Sequence, residues 1–229
     1  MDSTFDLYTY FRSSCSARLR IALNLHNIPY KPIFVHLLKN EQRTDEYRAI
    51  NPSLSVPALV VHKPRSNNNN GEDDSFAITQ SIAALQYLEE IDSSRSLLPR
   101  TPELRAVTQT LVAIIASDIQ PVVNLRVQQY LKQTGADPQP LCRQTTEAGF
   151  AAYEAIASKS AGLFSVGDEI TLADVCLVPA VWSAARFGVD LASYPTIKRV
   201  VDRMEEEDSV KKAHWRRQDD TPEEFKLST

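Results

Sequence analysis

The sequence FDLYTYFRSSCSARLRIALNL, residues 5–25, changes its pattern half-way along. Residues 5–11 are rich in aromatic and β-branched side chains, a composition typical of a β-strand. Ser13 and Ser14 follow with side chains that cap helices, and apolar residues then recur at helical spacing as far as Leu25. The stretch therefore predicts a strand that leads directly into a helix.

The residues up to 90 continue this alternation of strands and helices. They predict a strand at 31–37, a helix at 41–50, strands at 56–61 and 75–78, and a helix at 79–90. The order βαβαββα favours a parallel pair between the first two strands, joined by a right-handed crossover. Pro57 cannot donate to a β-ladder, so we expect it at an edge or a bend.

The second half of the chain has a helical pattern throughout. Candidate helices cover residues 102–133, 138–160, 172–187 and 195–207, and a short tail runs to residue 229. Thr171 and Asp174 have the spacing of a capping box. We therefore predict an α/β domain at 1–91, a linker at 92–100 and an all-helical domain at 101–229. Residues 63–74, KPRSNNNNGEDD, are expected to form a flexible surface loop without a specific role.

Composition excludes several classes of function. The chain has 229 residues, 43% of them apolar, and 25 basic against 29 acidic side chains give a net charge of −4. Without a basic block, nucleic acid is not expected as a partner. The longest apolar run, residues 111–116, is far short of the roughly 20 residues that a bilayer span requires, so no membrane association is expected.

The positions of the histidines, glycines and cysteines exclude further kinds of binding site. The four histidines have no metal-ligand spacing, so no metal site is expected. All six glycines lie from Gly71 onward, which excludes a dinucleotide fingerprint after an early strand. Three cysteines, Cys15, Cys142 and Cys176, are an odd number at wide spacing and suit free thiols in a reducing compartment. With acidic residues at the N-terminus instead of a targeting peptide, a cytoplasmic location is expected.

Residues 13–23, SSCSARLRIAL, closely resemble the signature of zeta-class glutathione transferases. Further motifs of that family follow in the same order over nearly the whole chain: Asn51-Pro52, Val56-Pro57, Thr79-Gln80-Ser81, Ile119-Gln120-Pro121, Asn124-Leu125, Val166-Gly167-Asp168-Glu169, Ala173-Asp174, Leu177-Val178-Pro179, Arg186-Phe187, Tyr194-Pro195-Thr196-Ile197 and Asp220-Thr221-Pro222. Two features depart from the family pattern. Ala17 stands where many relatives have Trp, and the loop at residues 63–74, with its four consecutive asparagines, is longer than usual. The resemblance implies a thioredoxin-like domain joined to an all-helical domain, with the site in the cleft between them, and a homodimer.

The resemblance also implies glutathione as cofactor and assigns residues to each of its parts. Gln80 and Ser81 open a predicted helix, whose free N–H groups and dipole favour the γ-glutamyl carboxylate. Val56, in a cis peptide bond with Pro57 in the family, would pair with the cysteinyl backbone. Gln42 would reach the glycyl end. Two further residues, Gln120 and Asn124, are four apart and are expected on one helix face that lines the cleft.

The thiol of glutathione must be ionised to react, because a free thiol with a pKa of about 8.5 is mostly protonated at neutral pH. Ser13 is expected to donate a hydrogen bond to the sulfur at the N-terminus of the first helix, and Ser14 is the alternative. Cys15 is expected in the same site, either as part of its wall or, in an alternative hypothesis, as a redox nucleophile acting through a single thiol.

Two arginines are candidates for the substrate. Arg186 presents a planar fork suited to a dicarboxylate substrate, or is an exposed arginine at a helix end. Arg18 either touches substrate or ties the two domains together.

The activity that the resemblance implies is the isomerisation of maleylacetoacetate to fumarylacetoacetate in phenylalanine and tyrosine breakdown. Thiolate addition, bond rotation and elimination would accomplish it, with transferase side activity. The alternatives are a transferase or dehalogenase for small α-halo acids and, in a different class, a non-catalytic interaction module of the same fold.

Overall fold

The computed structural model describes residues 3–63 and 75–227. The chain divides into two compact units, one formed by Met1–Arg95 with Ser209–Thr229 and the other by Ser96–Asp208. Most of the predicted 63–74 loop lies outside the described residues. Within the described ranges, none of the helices combines the length and hydropathy that crossing a bilayer requires.

The first unit contains a four-stranded sheet. Its strands are β1 (Thr4–Thr9), β2 (Lys31–Phe34), β3 (Ala58–His62) and β4 (Ser75–Ile78), in the spatial order β2-β1-β3-β4. β1 pairs parallel with β2 and antiparallel with β3, and β4 pairs antiparallel with β3. The predicted βαβαββα order and its parallel pair are therefore confirmed. β3 is an inner strand that begins after Pro57, so the proline lies just outside the ladder and not at an edge.

In the described part of residues 3–95, the sheet is accompanied by the helices α1 (Ser14–Leu25), α2 (Asp45–Ile50) and α3 (Ser81–Ile91). α1 begins at the predicted cap, because the Ser13 Oγ accepts a hydrogen bond from the Ser16 N–H at 3.1 Å. α1 is buried along almost its whole length and packs against α3. The predicted helix at 41–50 is instead a 3-10 turn, Glu41–Arg43, followed by α2, because Thr44 caps a new helix there.

The tail of the chain belongs to the first unit, whereas the prediction placed residues 101–229 in one domain. The tail, residues 209–229, contains α9 (Asp208–Ala213) apart from its first residue, and the 3-10 turns Trp215–Arg217 and Glu223–Phe225. The Nε of the buried Arg20 donates to the Ala213 carbonyl at 3.1 Å, and the Asn24 amide donates to the Ser209 carbonyl at 2.9 Å. A buried guanidinium needs acceptors, and the tail supplies one of them.

The second unit is helical, with α4 (Pro102–Ala113), α5 (Leu125–Gln133), α6 (Gln139–Ser160), α7 (Leu172–Ala184) and α8 (Pro195–Met204). α7 is buried along almost its whole length and packs against α4 and α8. The predicted helix at 102–133 is interrupted. A π-helical stretch, Ile114–Ile119, follows α4, and Asn124 starts α5 by accepting from the Arg126 N–H at 3.1 Å.

Candidate active site

A tight turn brings Ser13 to the start of α1. The Ser13 N–H donates to the Tyr10 carbonyl at 3.0 Å, and the Ser13 Oγ accepts from the Ser16 N–H. A hydroxyl that accepts in this way still has its own proton to donate. Ser13, Ser14 and Cys15 are all half-buried. A hydroxyl donor and the positive end of α1 thus lie together at a partly accessible position, which is the environment that stabilises a thiolate.

The start of α3 carries a buried cation. Ser81, the first residue of α3, is buried, and its Oγ accepts from the Arg18 Nη1 at 3.1 Å. Arg18 is only 1% exposed, and its Nε and Nη2 have no hydrogen-bond partner within the described part of the chain. A buried guanidinium beside a helix N-terminus fits a ligand carboxylate, because the anion would satisfy both the charge and the free N–H groups.

The hydrogen bond of Arg18 favours a role in ligand binding over a tie between the two domains. It lies within the first unit and ends on Ser81, a residue predicted to bind glutathione. Gln80 is the exposed N-cap of the same helix. The sequence did not predict the pairing of Arg18 with Ser81, because the two residues are 63 positions apart.

Two side chains that the sequence analysis missed hold the segment before Val56. The Ser55 carbonyl accepts from the Tyr47 hydroxyl and from the Asn51 Nδ2, both at 2.6 Å. Burial raises the pKa of Tyr47 to about 12, so its hydroxyl remains a donor at neutral pH. The bond between Val56 and Pro57 is cis, as the resemblance implied. The motif Asn51-Pro52 was recognisable, but only as the end of a helix.

Gln42 lies in the 3-10 turn Glu41–Arg43 and is 8% exposed. Its Oε1 has no hydrogen-bond partner among the residues that the structure describes, so the amide has an acceptor to offer a ligand N–H. With Ser13, Val56, Arg18 and Ser81, it gives the first unit donors and an acceptor for both ends of glutathione. These residues therefore fit that cofactor.

The remaining predicted residues lie in the second unit. Gln120 closes the π-helical stretch, whereas Asn124 caps α5, so the expectation that they share one helix face is wrong. Pro121 cannot donate a backbone hydrogen bond, which favours this interruption. Arg186 is exposed in the 3-10 turn Ala185–Phe187 after α7, and its guanidinium lies 5.7 Å from the Phe187 ring centre.

The three cysteines are free thiols, with Cys15 half-buried and the other two buried. Burial raises the pKa of Cys142, which keeps that thiol protonated. Within residues 3–63 and 75–227 there is no group of three His, Cys, Asp or Glu side chains that could hold a metal ion.

Family models match both parts of the chain. The N-terminal domain of glutathione S-transferase matches residues 12–91, and the C-terminal domain of the same family matches residues 130–208. This chain belongs to the glutathione S-transferase family. The fold predicted from the resemblance, a thioredoxin-like domain followed by a helical domain, is thereby confirmed.

Individual relatives place the chain within the zeta class of that family. It is 58% identical over 227 residues to a maleylacetoacetate isomerase of Aspergillus fumigatus, covering 97% of this chain and 95% of the relative. It is 39% identical to the structure of a bacterial zeta-class maleyl pyruvate isomerase, with a TM-score of 0.85 and coverage of 95% and 100%. A maleylacetoacetate isomerase of Anaeromyxobacter dehalogenans, solved with dicarboxyethyl glutathione and citrate, is 35% identical, with a TM-score of 0.86 and coverage of 96% and 99%.

Proposed function

We propose that this transferase is a glutathione-dependent isomerase that converts maleylacetoacetate to fumarylacetoacetate. The observation that carries the proposal is the Ser13 hydroxyl at the start of α1, in the same unit as the buried Arg18 at the start of α3. The relatives described above, which bear the name of this activity, support the choice of substrate.

Each residue has a distinct task in this proposal. Glutathione, when bound, supplies the thiolate that adds to the cis double bond and leaves again after the new single bond has rotated. Ser13, or Ser14 in its place, donates a hydrogen bond that keeps the sulfur ionised, and the N-terminus of α1 adds positive potential. One hydrogen bond to a charged group and a helix terminus together supply the roughly 2.7 kcal/mol that lowers a thiol pKa by about two units.

The remaining residues of the first unit hold the tripeptide. Arg18 and Ser81 bind the γ-glutamyl carboxylate together with the N–H groups at the start of α3, next to Gln80. The Val56 backbone pairs with the cysteinyl residue, on a segment that Tyr47 and Asn51 fix. Gln42 accepts from the glycyl end. Cys15 forms part of the wall beside the sulfur.

We assign Arg186 to a carboxylate of the substrate, because its exposed guanidinium is a planar fork that matches a carboxylate. The replacement Arg186→Leu should lower kcat/KM for maleylacetoacetate roughly ten- to a hundredfold, since a hydrogen bond to a charged group contributes about 1.5 to 3 kcal/mol. The dissociation constant of glutathione should change little. Equal kcat/KM in the wild type and the variant would leave Arg186 without a role in substrate binding.

The same assays separate the competing functions. Wild-type protein should bind immobilised glutathione and isomerise maleylacetoacetate. Turnover of α-halo acids without isomerisation would favour a dehalogenase, and glutathione binding without any turnover would favour an interaction module. Isomerisation lost in Cys15→Ala with glutathione binding intact would favour a protein thiol as the nucleophile.

The setting of the reaction is also part of the proposal. On the basis of the family resemblance, we assign the reaction to phenylalanine and tyrosine breakdown. On the same basis, we propose that the protein is a homodimer. Three free thiols suit the reducing conditions of the cytoplasm, where we place the protein. Light scattering at micromolar concentration tests the dimer, which should give twice the mass of the 25.7 kDa chain.

A further inference from the structure

The peptide groups of Phe11 are held by two charged side chains. The Phe11 N–H donates to the Asp220 Oδ2 at 2.8 Å, and the Phe11 carbonyl accepts from the Arg20 Nη2 at 3.1 Å. β1 has already ended at Thr9, so the sheet does not satisfy these groups. Hydrogen bonds to charged partners are stronger than neutral ones, which makes this residue a firmly fixed point of the backbone.

Phe11 lies inside the turn that positions Ser13. The turn is closed by the hydrogen bond from the Ser13 N–H to the Tyr10 carbonyl, so Phe11 is one of the two residues between its ends. A shift or rotation of Phe11 therefore moves Ser13 and the cap of α1 with it. An error of about 1 Å in the position of a catalytic group can cost about a hundredfold in rate.

Arg20 joins the turn to the tail of the chain. Its Nη1 donates to the Thr9 Oγ1 at 3.0 Å, and its Nε donates to the Ala213 carbonyl at 3.1 Å, while Nη2 holds Phe11. Arg20 is 1% exposed, and burial lowers its pKa to about 10, so it remains charged at neutral pH. This buried charge favours an anion nearby, and Asp220 lies close enough for their charges to interact.

The tail holds Asp220 in place through its own contacts. The Thr221 hydroxyl donates to the Trp215 carbonyl at 2.6 Å, and the Thr221 N–H donates to the Gln218 carbonyl at 3.1 Å. The Trp215 ring packs beside Phe11, with ring centres 6.3 Å apart. It joins a cluster of buried side chains that contains Tyr10, Phe11, Val35, Tyr47 and Val56.

We propose that Asp220 is a positioning residue for thiol activation, which acts through the Phe11 N–H to set the place of the Ser13 hydroxyl. The proposal rests on the proposed function, in which a serine at the start of α1 ionises the glutathione thiol. In this proposal the tail, residues 209–229, contributes to catalysis although none of its groups contacts the sulfur.

The test compares three variants of the full-length protein: Asp220→Ala, Asp220→Asn and Asp219→Asn. Asp219 is the matched control, since it is the exposed neighbour and its replacement changes the net charge equally. The measurements are the pKa of the bound glutathione thiol from its thiolate absorbance, the glutathione dissociation constant, kcat and KM for maleylacetoacetate, and Tm.

In Asp220→Ala we expect a raised pKa of the bound thiol and a kcat lower by about tenfold or more, with glutathione affinity changed by less than about threefold. Asp220→Asn keeps an acceptor without the charge and should shift both quantities in the same direction by less. Asp219→Asn should match the wild type.

The proposal is overturned if a folded Asp220 variant keeps the wild-type thiol pKa and kcat, even if its Tm falls, because Asp220 would then only stabilise the tail. Asp220→Asn decides the matter if Asp220→Ala does not fold. Failure of the proposed function is a different outcome, since the wild-type protein itself would then show no ionised thiol and no isomerisation.

Discussion

The oxygen of the Ser13 hydroxyl caps α1, and in the proposed function its proton is donated to the glutathione sulfur. The oxygen accepts from the Ser16 N–H at 3.1 Å, which satisfies one of the free donors at the start of α1. At the scale of a single residue, capping and the proposed thiol activation therefore use the same geometry. A substitution at position 13 changes both, so a control is needed to separate them.

We predict that Ser13→Ala loses most of the isomerase activity while glutathione still binds, because the lost hydrogen bond matters mainly to the ionised sulfur. The missing cap should lower the free energy of unfolding by about 1 kcal/mol. Titration of the bound thiol by ultraviolet absorbance is the measurement, and its pKa should rise.

Thr101→Ala is the control for the cap. Thr101 caps α4 with the same kind of bond, from the Leu104 N–H at 3.3 Å, but belongs to no predicted site. It should lower stability by a similar amount without affecting the bound thiol. An unchanged thiol pKa in Ser13→Ala would transfer the role to Ser14.

At the scale of the elements, the start of α7 is held by a buried acid in its first turn. The Asp174 carboxylate is completely buried and accepts from the Ser165 N–H at 2.8 Å, the Thr171 N–H at 2.8 Å and the Thr171 hydroxyl at 2.9 Å. The pKa of Asp174 is raised, because the effect of burial exceeds that of these hydrogen bonds, which lower it. The capping box predicted from Thr171 and Asp174 is confirmed, and the structure adds the link to Ser165.

We predict that Asp174→Ala destabilises the second unit by at least about 3 kcal/mol, because three buried donors lose their acceptor. The corresponding fall in Tm is about 10 °C. Calorimetry should be run beside Asp202→Ala, which removes an exposed acid paired with Lys198 and should change stability by less than about 1 kcal/mol. Similar Tm values for the two variants would contradict a structural role for the buried carboxylate.

At the scale of the whole molecule, the buried His26 and the half-buried His214 give stability opposite dependences on pH. The side chain of His26 lies between Glu89 and Asp92, at 3.3 and 3.0 Å. Burial lowers its pKa, but the bonds and charges of the two carboxylates outweigh burial and raise it. The His214 Nδ1 instead accepts from the Arg216 N–H at 3.1 Å, and burial together with neighbouring arginines lowers the pKa of His214 to about 4.

The direction of each pH dependence follows from whether the folded or the unfolded state binds the proton of the histidine more tightly. Below the unfolded pKa of about 6.5, the contribution of His26 is complete, and it is lost as pH rises through the higher folded value. The contribution of His214 is present above about 6.5 and is lost as pH falls through the folded value near 4.

Urea denaturation of wild type, His26→Gln and His214→Gln between pH 4 and 9 should show these opposite trends. The stability advantage of wild type over His26→Gln should shrink as pH rises above about 6.5. Its advantage over His214→Gln should shrink as pH falls below that value. Two parallel curves across the whole range would refute both assignments.

The sequence by itself determined the order βαβαββα, the start of α1 at Ser13, the capping box of α7 and the family of the chain. These features depend on hydrophobic periods and caps within a few residues, and on motifs that a family preserves in order. The family resemblance gave Gln42 and Val56 as candidates, and the predicted helix starts together with that resemblance gave Ser13 and Ser81.

Only the tertiary structure decided which distant residues meet. It paired Arg18 with Ser81 across 63 positions and Phe11 with Asp220 across 209, and it grouped residues 209–229 with the first unit. It also interrupted the predicted helix at 102–133. The physical reason is that a buried guanidinium or carboxylate must find partners wherever the packed chain provides them, and no local period or cap records where those partners lie.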